Sequence, residues 1–100
     1  MKRWSTENIV LAINGLKDIT GATGYATARR DDVVIEQQCP IHAGAKDEPP
    51  YIEMHITPEQ SAKLGPGRVL FEATVVKGES IFKSNTMSLV CEEAVSRGRR

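Results

Sequence analysis

The segment Ile52–Val76 limits the possible folds of this chain more than any other part of the sequence. Apolar and polar residues alternate in Ile52–Ile56 and again in Arg68–Val76. This alternation is the period of a β-strand that has one face in water. The residues between the two runs carry the signals of a short helix instead. The segment therefore predicts a strand, a corner helix and a second strand.

The corner helix is predicted over residues 58–64 from the signals at its two ends. Thr57 can accept a backbone N–H as the N-cap, Pro58 suits the first helical position, and Gln60 can complete a capping box. Gly65 is expected to take the left-handed conformation that ends many helices.

Turn residues divide the rest of the chain into short strand-like segments, with a long loop from Cys39 to Pro50. We therefore predict one all-β domain over residues 1–95, a six- or seven-stranded antiparallel β-sandwich, followed by a flexible basic tail at 96–100. The further strands are expected at 8–13, 22–30, 33–38, 81–83 and 87–91, with a hairpin at Arg30-Asp31-Asp32 and a bulge at Ser84-Asn85-Thr86.

Two strand orders fit this pattern, an Ig-like Greek key and a jelly roll. The corner helix between consecutive strands favours the Ig-like order. Strand periodicity also selects the side chains expected to point inward: Ile9, Leu11, Ile13, Val33, Ile35, Ile52, Met54, Ile56, Leu64, Val69, Phe71, Val75, Met87 and Leu89.

The charge balance argues against some partners and favours others. Thirteen Lys and Arg residues stand against thirteen Asp and Glu residues, so no global field attracts nucleic acid or an anionic membrane. Zero net charge favours association with other proteins. No apolar run approaches the roughly 20 residues of a membrane span, and the first residues lack the apolar stretch of a signal peptide. We expect a chain that is cytosolic or is assembled in the cytosol, and that binds no membrane and no nucleic acid.

Four residues could in principle form a zinc site: Cys39, His42, His55 and Cys91. Cys39 and His42 have the two-residue gap of a metal half-site, whereas His55 and Cys91 come from different strands and form no local knuckle. Cys39 with either histidine is also the minimum for a thiol nucleophile, although nothing near them in sequence supplies an orienting acid. The pattern favours reduced, inert thiols and a loop histidine over both kinds of site.

No other motif indicates catalysis. The paired carboxylates at 31–32, 47–48 and 92–93 are adjacent in sequence, and adjacent side chains of a strand face apart. The glycine-containing turns lack the spacing of phosphate-binding loops. We therefore predict no enzyme activity, no cofactor and no small-molecule substrate.

A family resemblance covers residues 4–95. The apolar strand after Trp4, the Asp18-Ile19-Thr20 segment and the hairpin ending in Val33-Val34-Ile35 occur in order, and Ile52–Val76 is the most specific part. In these features the chain resembles the small β-sandwich proteins and domains encoded by tailed phages and prophages, including the N-terminal domain of upper-baseplate tail proteins. The resemblance implies a structural role without catalytic residues.

Three hypotheses follow for function. The first is a virion structural protein of the tail, baseplate or head, assembled in the host cytoplasm, which packs against itself or other virion proteins. Val10, Val76 and Phe82 are then expected on exposed faces. The second is a monomeric phage-encoded binding module or inhibitor of a host protein, with the Cys39–Pro50 loop as its contact. The third is a zinc- or thiol-dependent enzyme.

Trp4 is the only tryptophan of the chain. Its position before the first strand favours a satellite of the core, and the alternative is an exposed contact for a neighbouring subunit.

Overall fold

The computed structural model describes residues 4–92 and folds them into two antiparallel sheets and one helix. The all-β sandwich predicted from the sequence is confirmed. Residues 4–92 contain eight strands, because a two-residue strand forms inside the segment that was expected to be a loop. The elements follow in this order: β1 (Glu7–Ala12), β2 (Thr23–Arg30), β3 (Val33–Cys39), β4 (Ile41–His42), β5 (Tyr51–Ile56), α1 (Pro58–Leu64), β6 (Gly67–Lys77), β7 (Ser80–Lys83) and β8 (Met87–Cys91).

The strand order departs from the Ig type at one strand. The small sheet has the order β1-β5-β4, and the large sheet has the order β3-β2-β6, with β7 and β8 both paired to β6. An Ig-type sandwich places its second strand between the first and the fifth. Here β2 lies between β3 and β6, so it has left the sheet of the first and fifth strands, which now pair with each other, and separates β3 from β6.

The turn between β2 and β3 explains this departure. Only Asp31 and Asp32 connect the two strands, which pair from Arg30 opposite Val33 to Gly24 opposite Cys39. A two-residue turn joins adjacent antiparallel strands of one sheet, whereas the Ig order assigns its second and third strands to different sheets. The hairpin predicted from the sequence is thus correct, and it excludes the strict Ig order.

Strands β7 and β8 form one edge strand interrupted by a bulge. Opposite β6, Lys83 pairs with Thr74 and Met87 pairs with Phe71. The Ser84 hydroxyl accepts a hydrogen bond from the Ala73 amide at 2.8 Å, so the ladder continues through a side chain at this point. After this point one residue of β6 lies opposite two residues of the edge strand, which is the geometry of a β-bulge. The predicted bulge at 84–86 is confirmed.

Helix α1 has the predicted bounds and the predicted cap. The Thr57 hydroxyl accepts a hydrogen bond from the Gln60 amide, and the Gln60 side chain accepts one from the Thr57 amide. The prediction for Gly65 is wrong, because its φ of −93° and ψ of 170° are extended. Glycine is needed there for space: a Cβ atom would lie 2.3 Å from the Cys91 Sγ atom.

The predicted inward side chains form the core between the sheets. Four of them, Val33, Ile35, Met87 and Leu89, are half-buried and pack against it, and the others are buried. The expected exposure of Phe82 is wrong. Phe82 lies opposite Val75, and because directly opposite side chains share a face, Phe82 packs on the core while Ile81 is exposed.

The sandwich has two different ends, which we call the helix pole and the loop pole. The helix pole contains α1 and the β2–β3 turn. The loop pole contains residues 13–22, residues 43–50 and the β6–β7 turn. Strand β1 runs from the helix pole, where Glu7 pairs with Ile56, to the loop pole, where Ala12 pairs with Tyr51.

The tail predicted at 96–100 and the end of the predicted 1–95 domain lie outside residues 4–92. Among residues 4–92, no helix has both the length and the apolar character required to cross a membrane.

Candidate functional site

The four residues of the possible zinc set lie in separate parts of the molecule. Cys39 is buried near the loop pole, and Cys91 is buried at the helix pole beside Gly65. His42 and His55 lie on the outer face of the small sheet, away from the core. Between residues 4 and 92, no three His, Cys, Asp or Glu side chains are placed to hold a metal.

The histidines have partners of their own on the outer face of the small sheet. The His42 ring stacks on the Tyr51 ring, with centroids 5.1 Å apart and planes at 21°. The Nδ1 atom of His55 lies 2.9 Å from the amide oxygen of Asn8. Because that oxygen can only accept, Nδ1 donates to it. Neither ring faces a cysteine.

Burial also opposes nucleophilic chemistry at Cys39. Removal from water raises the pKa of the Cys39 thiol, against the weaker effect of a backbone hydrogen bond from Ala26. The thiolate is the reactive form, so Cys39 is held in its unreactive state.

Exposed apolar side chains occur on the outer faces of both sheets. Val10 of the small sheet is 48% exposed, and Ile81 of the large sheet is 64% exposed. Val34 and Val90 on the large sheet are also more than half exposed, whereas Val76 is half-buried. Single exposed apolar residues are normal on a protein surface. Val10 lies on the small sheet and the other three lie on the large sheet, so the four do not share one face.

A groove lies between the free side of β1 and the bulge. Among the described strands β1 pairs only with β5, and at its end Ile13 forms a single bridge to Ser84. The groove has a volume of about 390 Å³ and is lined by Val10, Leu11, Ala12, Asn14 and residues 84–87. An unpaired edge of this kind is a template for pairing with another strand.

A second cleft lies at the loop pole. It has a volume of about 530 Å³ and is formed by residues 15–19 on one side and by 43–44 and 47–50 on the other. Leu16 and Pro50 are buried and Ile19 is half-buried, so part of the wall is apolar. The Ile13 amide donates to the Pro50 carbonyl at 2.9 Å, which joins the second wall to the end of β1.

The carboxylates of this cleft differ in their surroundings. Hydrogen bonds from Thr20, followed by the charge of Lys77, hold the pKa of Asp18 below its ordinary value of 3.8. The Lys77 ammonium lies 3.4 Å from the Asp18 carboxylate. Asp47 and Glu48 are exposed on the opposite wall. Asp18 is therefore already paired, and Asp47 and Glu48 carry the charge that is open to a partner.

Trp4 lies at the other end of the molecule. The Ser61 hydroxyl of α1 donates to the Ser5 carbonyl at 2.9 Å, which fixes the adjacent residue at the helix pole. The Trp4 side chain is 49% exposed. The prediction that Trp4 is a core satellite is wrong, and the alternative of an exposed residue holds. Sequence reasoning also missed the cleft, for which Pro49-Pro50 in a long loop was the available signal.

Comparison with known proteins gives no relative for this chain. No protein-family model, no curated protein and no solved structure matches it.

Proposed function

We propose that this protein is a structural component of a phage or prophage virion, in the tail, baseplate or head, and acts through protein contacts in a symmetric assembly. In this proposal it assembles in the host cytoplasm, binds itself or other virion proteins, and has neither a catalytic site nor a cofactor. The proposal that the virion is that of a phage or prophage rests on the resemblance of Ile52–Val76 to the small β-sandwiches of tailed phages.

The observation that carries the contact role is the presence of an exposed tryptophan and an open cleft on one small domain. Trp4 is half-exposed at the helix pole, and the cleft of about 530 Å³ is open at the loop pole. Tryptophan is among the residues most enriched at the energetic centres of protein interfaces. The unpaired side of β1 offers a further contact. Zero net charge lowers the repulsion between copies.

The experiment is light scattering coupled to size exclusion, over a hundredfold range of protein concentration, together with mass spectrometry of purified virions from an induced lysogen that encodes the protein. We expect oligomers that grow with concentration, and copies of the chain in the particles. A strict monomer that is also missing from the particles would refute the proposal.

A second candidate, a monomeric inhibitor of a host protein, is supported by one observation. The Cys39–Pro50 loop forms a wall of the loop-pole cleft and exposes Asp47 and Glu48, which supports a contact between this loop and a foreign protein. This candidate predicts a monomer that captures one host protein in stoichiometric amount. Capture should fail when both carboxylates are replaced by Asn and Gln. Oligomers without such capture would exclude it.

A further inference from the structure

The chain carries an exposed aromatic side chain and a matching cleft at opposite ends. A tryptophan side chain buries ~150–250 Å² on insertion, and ligand pockets of ~300–1,000 Å³ enclose groups of this size and larger. The loop-pole cleft, at about 530 Å³, lies in this range. The apolar side chains of Leu16, Ile19 and Pro50 can contact the indole ring.

The polar groups of the cleft also suit an indole ring. The indole N–H can only donate, and Asp47 and Glu48 are acceptors on the cleft wall. The lining carries the carboxylates of Asp18, Asp47 and Glu48 and only one ammonium group, that of Lys17, with a second lysine next to Asp47 in sequence. Because Lys77 already pairs with Asp18, the charges around the cleft balance, and Asp47 and Glu48 remain as the acceptors open to the indole N–H.

Trp4 cannot fill the cleft of its own chain. The whole length of β1 separates them, since Trp4 precedes its first residue and the cleft begins at Gly15, after its last. A strand advances ~3.3 Å per residue, so the six residues of β1 alone span about 20 Å. Only a second copy can supply the tryptophan.

We propose that Trp4 of one copy inserts into the loop-pole cleft of the next, so that subunits join head to tail. The two surfaces of this contact differ, which makes it heterologous. Such contacts generate a ring when the rotation between subunits closes and a filament when it does not. This inference rests on the proposed function, because it names the partner as a second copy and the surfaces as Trp4 and the cleft.

The first test uses Trp4 as its own probe, since it is the only tryptophan. Its emission should shift to shorter wavelength, and quenching by acrylamide should fall, as the protein concentration rises.

The second test compares Trp4→Ala with Ile81→Ala by sedimentation equilibrium. Both remove a large exposed side chain, and Ile81 lies on the large sheet outside the cleft. Trp4→Ala should weaken association about 30-fold or more, the factor that corresponds to ~2 kcal/mol at an interface centre. Ile81→Ala should associate as the wild type does. Circular dichroism and melting of both variants verify that they are folded.

The third test combines two variants, each of which lacks one side of the proposed contact, and asks whether the contact forms again between them. Ala43 is exposed in the cleft lining, and Ala43→Arg should fill the cleft while leaving Trp4 intact. Each variant alone should be monomeric. When the two variants are mixed, the Trp4→Ala chain supplies an open cleft and the Ala43→Arg chain supplies the tryptophan that enters it. The complex should stop at 1:1, because the Trp4→Ala chain has no tryptophan and the Ala43→Arg chain has no open cleft. Titrating Trp4→Ala into Ala43→Arg should shift the tryptophan emission.

The outcomes separate this inference from the proposed function. Oligomers that persist unchanged in Trp4→Ala overturn the inference and leave self-association standing. Two monomeric variants that form no 1:1 complex also overturn it. A wild type that stays monomeric at all concentrations overturns both self-association and the inference.

Discussion

The two poles of the sandwich are built differently: a helix closes one by packing, and loops leave a cleft at the other. At the helix pole, α1 buries Ser61, Ala62 and Leu64, and no gap remains between Gly65 and Cys91. At the loop pole, residues 15–19 and 43–50 leave a cleft of about 530 Å³. A helix closes an end by packing side chains, whereas loops must keep their backbone groups near water. The helix pole is therefore closed by packed side chains, whereas the loop pole keeps an open cleft.

The glycines of the two poles show the same contrast. A Cβ at Gly65 would meet the side chain of Cys91, and a Cβ at Gly44 would meet the carbonyl oxygen of Pro49 at 2.3 Å. The first glycine lets two core elements approach each other. The second lets a loop fold back on itself to form a wall of the cleft. Four variants test how far this contrast between the poles extends.

The largest effect is expected at Phe71, which lies on β6 between the two poles and is fully buried. Phe71→Ala should lower the free energy of unfolding by about 3–5 kcal/mol, through lost burial and a cavity. Chemical denaturation measures this loss. Leu70→Ala is the control, because Leu70 is the neighbour on the outer, half-buried face, and it should cost much less. Equal losses for the two variants would contradict the assignment of inner and outer faces.

The close packing of the helix pole is tested at Gly65. Gly65→Ala should cost about 1–3 kcal/mol, since a methyl group is forced into a filled space. The same substitution made in a Cys91→Ala background should cost less, because the Sγ atom at 2.3 Å is gone. Part of the cost should remain, since the Cys91 Cβ and Ser61 carbonyl lie at 3.2 and 3.3 Å. An equal cost in both backgrounds would show that Cys91 is not the obstacle.

The cap of α1 is expected to have a smaller effect. Thr57→Ala should lower the free energy of unfolding by about 1 kcal/mol, because the Gln60 amide loses its acceptor. Thr6→Ala, at an exposed position before β1, is the matched control and should change stability little. A Thr57 variant as stable as the control would mean that the cap does not hold the helix pole closed.

The smallest effect is expected at Asp18 of the loop pole. Because its pKa is below 3.8 in the folded chain, the charged form stabilises the fold at pH values above 3.8. That contribution is lost as the pH falls through the folded-state pKa. The melting temperature of Asp18→Asn should therefore lie slightly below that of the wild type near pH 6. The difference should shrink as the pH falls below 3.8 and through the folded-state pKa, and a difference that does not shrink would have another cause.

Local patterns in the sequence predicted the elements of both poles. The alternation in Ile52–Ile56 and Arg68–Val76 depends on each strand having one wet face, and the signals at Thr57 and Gln60 act within one helical turn. The hairpin at Asp31 and Asp32 is equally local. For this reason the helix bounds, the inward side chains and the bulge at 84–86 agree with the structure.

The sequence by itself determined that this chain forms an antiparallel sandwich with one capped corner helix, because those features depend on neighbours along the chain. The tertiary structure alone decided that β2 joins the large sheet, that Gly65 makes room for Cys91, and that the zinc-type residues lie apart. It also decided that Trp4 and the loop-pole cleft lie at opposite ends. These features depend on which distant segments meet, and the side-chain period of a strand carries no information about its partner.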